Sequence, residues 1–154
     1  MTHFPTFVRV ALFATPIALA ACAMAPMAEP MPMGSAGSVS FSATLSSAAE
    51  VPANASAATG RLDATLDKAS NALRWTMTYS GLTGPATMAH FHGPAMPGAN
   101  AGVVVPFPNA TSPAAGETML TPKQIDDLMA GKWYANVHTA ANPGGEIRGQ
   151  VVRK

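Results

Sequence analysis

Apolar and polar residues alternate along much of this chain. Val39, Phe41, Ala43 and Leu45 interleave with Ser40, Ser42, Thr44 and Ser46. Leu62, Ala64 and Leu66 interleave with Arg61, Asp63 and Thr65. In Leu73-Arg74-Trp75-Thr76-Met77-Thr78-Tyr79 the large residues hold the odd positions and Arg or Thr the even ones. Successive side chains of a strand point to opposite faces, so each run predicts a strand with one face on a core and one in water. Further strands are predicted over 87–92, 101–106, 117–120, 133–139 and 146–153. Asp67-Lys68-Ala69-Ser70-Asn71 supplies turn residues for a hairpin, and Asn142-Pro143-Gly144 suits a turn in which Gly accepts φ > 0.

One segment departs from period two. Thr121-Pro122-Lys123-Gln124 has a capping residue, Pro at the first helical position and Gln at the third. Ile125, Leu128 and Met129 follow at helical spacing, and Gly131 can end the helix in the left-handed region. A surface helix of about ten residues is expected. About eight short strands with one inserted helix predict an all-β fold, a Greek-key sandwich or barrel.

The first part of the chain has another character. Residues 1–21 carry one positive charge, Arg9, then an apolar run too short to span a bilayer, ending in small residues. This is the pattern of a signal peptide. Leu19-Ala20-Ala21-Cys22 resembles the lipobox of bacterial lipoproteins, and Cys22 is the chain's one cysteine. The resemblance implies cleavage before Cys22, lipidation of its thiol and attachment to the cell envelope by acyl chains rather than by a spanning helix. Ala23 follows where an Asp would imply retention at the inner membrane, so an outer-membrane anchor facing the periplasm is expected. Residues 22–37 then read as a flexible tether rich in Pro and Met. Met24, Met27, Met31 and Met33 are soft thioethers able to collect Cu(I), or simply tolerated apolar residues.

Residues 38–154 remain as one domain. Removing Arg9 leaves eight Lys and Arg against eight Asp and Glu, without a basic stripe, so no nucleic-acid partner is expected. No G-x-S-x-G, phosphate loop or H-E-x-x-H occurs, and the carboxylates are scattered. A non-enzymatic role is expected. No feature identifies a protein partner.

The chemistry lies in the histidines. Of four, His3 falls in the signal, and the others occupy Met88-Ala89-His90-Phe91-His92-Gly93 and Tyr134-Ala135-Asn136-Val137-His138-Thr139. His90 and His92, two apart on a strand, share a face about 7 Å apart. A neighbouring strand bearing His138 on that face would bring three imidazoles together as a copper or zinc site. Copper is preferred because no fourth strong ligand is evident and Met88 or Met96 offers a soft one. The competing possibility is a hydrogen-bonded cluster that fixes loops. Asn136, by parity, and Glu146, across the predicted hairpin, are candidates to hold the second ring nitrogens. Glu146, Arg148 and Gln150 share a face and, with Asn136, form either a hydrogen-bonded network that closes the sheet or a polar binding surface, while Gly149 implies a bulge or a close backbone approach. Trp75, Trp133 and Tyr79 are expected to pack in the core or sheet, and residues 94–100 form a loop placed to cap the histidines or turn the corner.

Glu50-Val51-Pro52, Ala58-Thr59-Gly60, Tyr79-Ser80-Gly81-Leu82, Ala89-His90-Phe91-His92-Gly93-Pro94-Ala95, Tyr134-Ala135-Asn136-Val137-His138-Thr139 and Asn142-Pro143-Gly144-Gly145-Glu146-Ile147-Arg148-Gly149-Gln150 together resemble the CHRD domain, the family named for chordin. The likeness covers nearly all of residues 38–152 and implies an immunoglobulin-like all-β fold in a secreted or lipoprotein setting. Chordin's growth-factor-binding cysteine-rich modules are absent, so that activity is not implied. The H-x-H strand with a later histidine also resembles the copper site of copper–zinc superoxide dismutases. The disulfide pair and zinc half-site of those enzymes are missing. Three functions follow in order: an envelope-tethered binding module that holds copper or another transition metal, the same module without metal, and a dismutase-like copper enzyme.

Overall fold

The computed structural model describes Met1 and residues 37–154. The expected signal peptide, Cys22 and the tether up to residue 36 lie outside the described residues, apart from Met1. The described residues form nine strands and one α-helix: β1 (Ser38–Ser46), β2 (Thr59–Asp67), β3 (Ala72–Ser80), β4 (Ala86–His92), β5 (Val103–Pro106), β6 (Ala114–Met119), α1 (Pro122–Met129), β7 (Tyr134–Thr139), β8 (Ile147–Gln150) and β9 (Val152–Arg153). Every pairing is antiparallel. Eight strands run in the order β5-β4-β7-β8-β1-β2-β3-β6, and β9 pairs with β1. The sheet curls into a nearly closed barrel. The expected all-β fold with one short helix is therefore observed, as a barrel.

The alternation that predicts the strands also builds the core. Val39, Phe41, Ala43 and Leu45 of β1 are buried, as are Leu62, Ala64 and Leu66 of β2 and Leu73, Trp75 and Met77 of β3. Each fully buried Leu or Phe contributes about 1.5–3 kcal/mol. Trp75 of β3 meets Phe91 of β4 edge-on at 5.3 Å between ring centroids, and Phe107 at 4.8 Å. β3 and β4 stand five places apart in the strand order, so these rings meet across the barrel interior rather than between neighbours. Gly116 of β6 lies directly under the Trp75 indole, where a Cβ would collide with the ring.

The punctuation behaves largely as expected. The Asp67 carboxylate accepts from the Ala69 and Ser70 N–H groups, and Asn71 takes φ 61°. Thr121 and Gln124 form the reciprocal cap, and Gly131 closes α1 at φ 67°. Two details differ. In the 142–145 turn the positive φ falls on Gly145, at 133°, rather than on Gly144. The strand predicted over 146–153 is interrupted: β8 pairs with β7 and, at Arg148, with β1, β9 continues on β1 in the same register, and the Val151 N–H between them bonds to the Trp133 carbonyl. Gly149 explains how the chain fits there. A Cβ on it would collide with the Thr44 carbonyl of β1, so the close backbone approach expected at Gly149 is present.

Candidate metal centre

β4 and β7 pair so that Met88 faces His138, His90 faces Asn136 and His92 faces Tyr134. Ala89 and Phe91 of β4, with Ala135 and Val137 of β7, belong to the hydrophobic core. Strand geometry therefore sends His90, His92, Tyr134, Asn136 and His138 to the opposite face, outside the barrel. They are not left in water there. His92 is 8% exposed, His138 6% and Asn136 2%. Loops after β4 and β7 cover them: Ala101 and Pro143 supply carbonyls to two of the rings.

The three imidazoles meet. One nitrogen from each of His90, His92 and His138 lies within 4.8 Å of the others. His90 Nδ1 is 3.1 Å from His138 Nε2. His92 Nε2 and His138 Nε2 stand 3.1 and 3.0 Å from Asn136 Oδ1. On their far sides, His92 Nδ1 lies 3.0 Å from the Ala101 carbonyl and His138 Nδ1 2.9 Å from the Pro143 carbonyl. A carbonyl oxygen only accepts, so each Nδ1 carries the proton. In the neutral rings both Nε2 atoms then present a bare electron pair toward the cluster, which is the tautomer a metal ion requires.

Burial disfavours the charged form of two of the rings. Burial pushes the His90 imidazole down from 6.5 to about 4, with His138 and His92 adding to the effect. Burial also lowers His138; the Pro143 carbonyl works against this and His92 with it. Neutral imidazoles are the metal-binding form.

Aromatic and cationic groups fix the His92 ring. Tyr134 lies parallel to it, and the Arg148 guanidinium sits 3.4 Å from the Tyr134 ring centroid. Arg148 is itself buried, donating through Nη1 to Asn100 Oδ1 at 2.9 Å and through Nη2 to the Ala99 carbonyl. Gln150 donates to the carbonyls of Ala95 and Gly131. The loop of residues 94–100 is thus tied down by β8 and leads into the carbonyl that holds His92.

Two expectations for this face are corrected. Glu146 does not hold a histidine. It lies fully buried and accepts from Ser56, from the N–H and hydroxyl of Thr83 and from Thr139. Burial works to raise its pKa, but these four donors win and hold it down at about 2. Nor do Glu146, Arg148 and Gln150 bond to one another or to Asn136. Each reaches a different partner instead: Glu146 the donors of Ser56 and Thr83, Arg148 the loop at Ala99 and Asn100, Gln150 the carbonyls of Ala95 and Gly131. The expected second-nitrogen holders are instead two backbone carbonyls. No side-chain pattern marks them in the sequence. Tyr134 shares the parity of Asn136 and His138 and was legible on that ground. Met88 faces His138 and is 48% exposed, whereas Met96 is 58% exposed on the covering loop.

A second buried acid lies near Arg148. Glu50 is buried against Gly145, and its Oε1 has no hydrogen-bond partner among the described residues. Burial raises its pKa from 4.5 to about 7, against the lowering effect of Arg148 and the Val51 N–H.

Comparison with known proteins agrees with the architecture. The family model described as the CHRD domain matches residues 41–151, which take in all three histidines. No curated protein and no solved structure matches the chain.

Proposed function

The chain belongs to the CHRD domain family, and from that premise we propose that it is a binding module holding one transition-metal ion through His90, His92 and His138. The observation that carries this is the convergence of three ring nitrogens within 4.8 Å, two of them with electron pairs bared by carbonyls behind the ring. Copper is the preferred ion and zinc the second. The donors are imidazoles without a carboxylate, and Met88, a soft thioether residue, is the strand partner of His138. The domain acts by holding the ion and carries out no catalysis of its own. Cys22, lipidated, anchors it to the envelope, probing the periplasm from the outer membrane.

A second function has its own support. Asn136 lies between His92 and His138, and with its –NH2 turned toward them it donates to both rings, so the cluster can also serve as a hydrogen-bond network that pins β4, β7 and their loops without metal.

Loading the purified chain with Cu(II) and dialysing it separates the two. Retention of about one equivalent, lost in His92→Ala while the far-UV spectrum is kept, supports the metal site. A wild-type chain that retains neither copper nor zinc leaves the metal-free module. A loaded chain that speeds superoxide decay would turn the assignment toward a redox enzyme.

A further inference from the structure

We propose that Asn136 is a fourth ligand of this centre, and that its carboxamide is a two-position gate. This rests on the metal-binding function above. The protons on His92 Nδ1 and His138 Nδ1 are assigned by the Ala101 and Pro143 carbonyls. Both Nε2 atoms are therefore acceptors, and Asn136 Oδ1, 3.1 and 3.0 Å from them, is an acceptor too. A proton on His90 Nδ1, 3.1 Å away, can answer His138 Nε2, but the electron pairs of His92 Nε2 and Asn136 Oδ1 still face each other and repel unless something positive lies between them. A carboxamide has two ways to supply it. Turned by half a revolution about its last bond, it offers its –NH2 and donates to both rings. With oxygen inward, it completes a ligand set around a cation. Asn136 is 2% exposed and cannot answer the rings by turning to water.

The spacing fits coordination. Ligands about 2.0–2.1 Å from a tetrahedral ion lie about 3.3 Å from one another. The Asn136 oxygen is within a few tenths of an ångström of that separation from two nitrogens, and His90 Nδ1 is equally close to His138 Nε2. Rotation of His90, the least buried ring of the three, closes the remaining distance. The gate gives the site a neutral oxygen donor in place of the carboxylate that the sequence lacks nearby. It also gives His92 Nε2 and His138 Nε2 a donor when the ion is absent.

The test uses Zn(II) and Co(II) with the full chain and two substitutions. Asn136→Leu removes both the oxygen and the –NH2. Asn136→Asp removes the –NH2 but keeps an oxygen and adds charge. A ligand role requires opposite signs: at least tenfold weaker binding for Asn136→Leu, equal or tighter binding for Asn136→Asp, and altered visible Co(II) bands in both. Equal affinities in all three chains overturn the proposal. So does equal weakening in both variants, which would make the amide only a hydrogen-bond donor. Should either variant fail to fold, the wild type suffices: Zn(II) must shift the Asn136 side-chain 15N–1H2 resonances as the amide turns, and unmoved resonances overturn the gate. A wild-type chain that binds neither ion removes the metal function itself, a result distinct from binding without Asn136.

Discussion

Tyr134 and His92 lie face to face, their ring planes 1° apart and their centroids separated by 4.8 Å. They are directly paired across β4 and β7, and Arg148 reaches the same phenol ring from β8. An imidazole that must aim one nitrogen at a fixed point gains from a flat surface that sets its plane, beside a carbonyl that sets its tautomer.

Tyr134→Leu is therefore expected to weaken Cu(II) binding about tenfold, in the range of groups that orient metal ligands. Tyr134→Phe keeps the flat ring and is expected to bind within about twofold of wild type, since the phenol oxygen contacts the Ala101 backbone rather than a histidine. Competition against a chelator of known affinity measures both. Equal losses in Leu and Phe would assign the effect to the hydroxyl rather than to stacking.

Glu50 and Glu146 should shape the acid and alkaline sides of stability with opposite signs. Glu50 has a raised folded pKa. Its contribution is complete below its ordinary 4.5 and is lost as the pH rises through about 7. Glu50→Gln imitates the protonated acid and cannot ionise. Compared with wild type, it should gain about 1–3 kcal/mol between pH 5 and pH 8, read from urea unfolding at each pH. A constant difference across that range would show that Glu50 does not titrate there.

Glu146 runs the other way. Its folded pKa is lowered, so its contribution is present above 4.5 and drains away as the pH falls toward about 2. Glu146→Gln keeps two acceptor contacts and sets an –NH2 against the hydroxyls of Thr83 and Thr139. A loss of about 1–3 kcal/mol at pH 7, shrinking near pH 2, is expected in thermal or urea unfolding. An undiminished difference at pH 2 would mean that the carboxylate charge is not what stabilises the junction.

The pairing of the histidines was legible because strand parity is strict. Period two alone places His90 with His92, and Asn136 with His138, whatever the rest of the chain does. The capping box of α1 and the Asp67 turn were legible for the same reason, since their bonds close within a few residues. The broken last strand was not. The alternation runs from Glu146 to Val151, and only the approach of Gly149 to the Thr44 carbonyl shows where the ladder on β1 is interrupted.

The full burial of β7 was equally hidden. All six of its residues are covered on both faces, although its polar positions look like a solvent face. Loops distant in sequence roof them. Glu146 shows the same limit: hairpin position puts it near the histidines, yet three of its four donor groups come from Ser56 and Thr83, ninety and sixty-three residues away.

By itself the sequence determined the all-β character, the face on which each histidine stands and the residue types available for chemistry. These follow from local geometry and composition. Only the tertiary structure decided that β4 and β7 are neighbours in a register that joins His90, His92 and His138, and that the Ala101 and Pro143 carbonyls choose the tautomers. Strand pairing and loop closure are set by burial of the whole core, and a backbone carbonyl has no side chain by which a sequence could announce it.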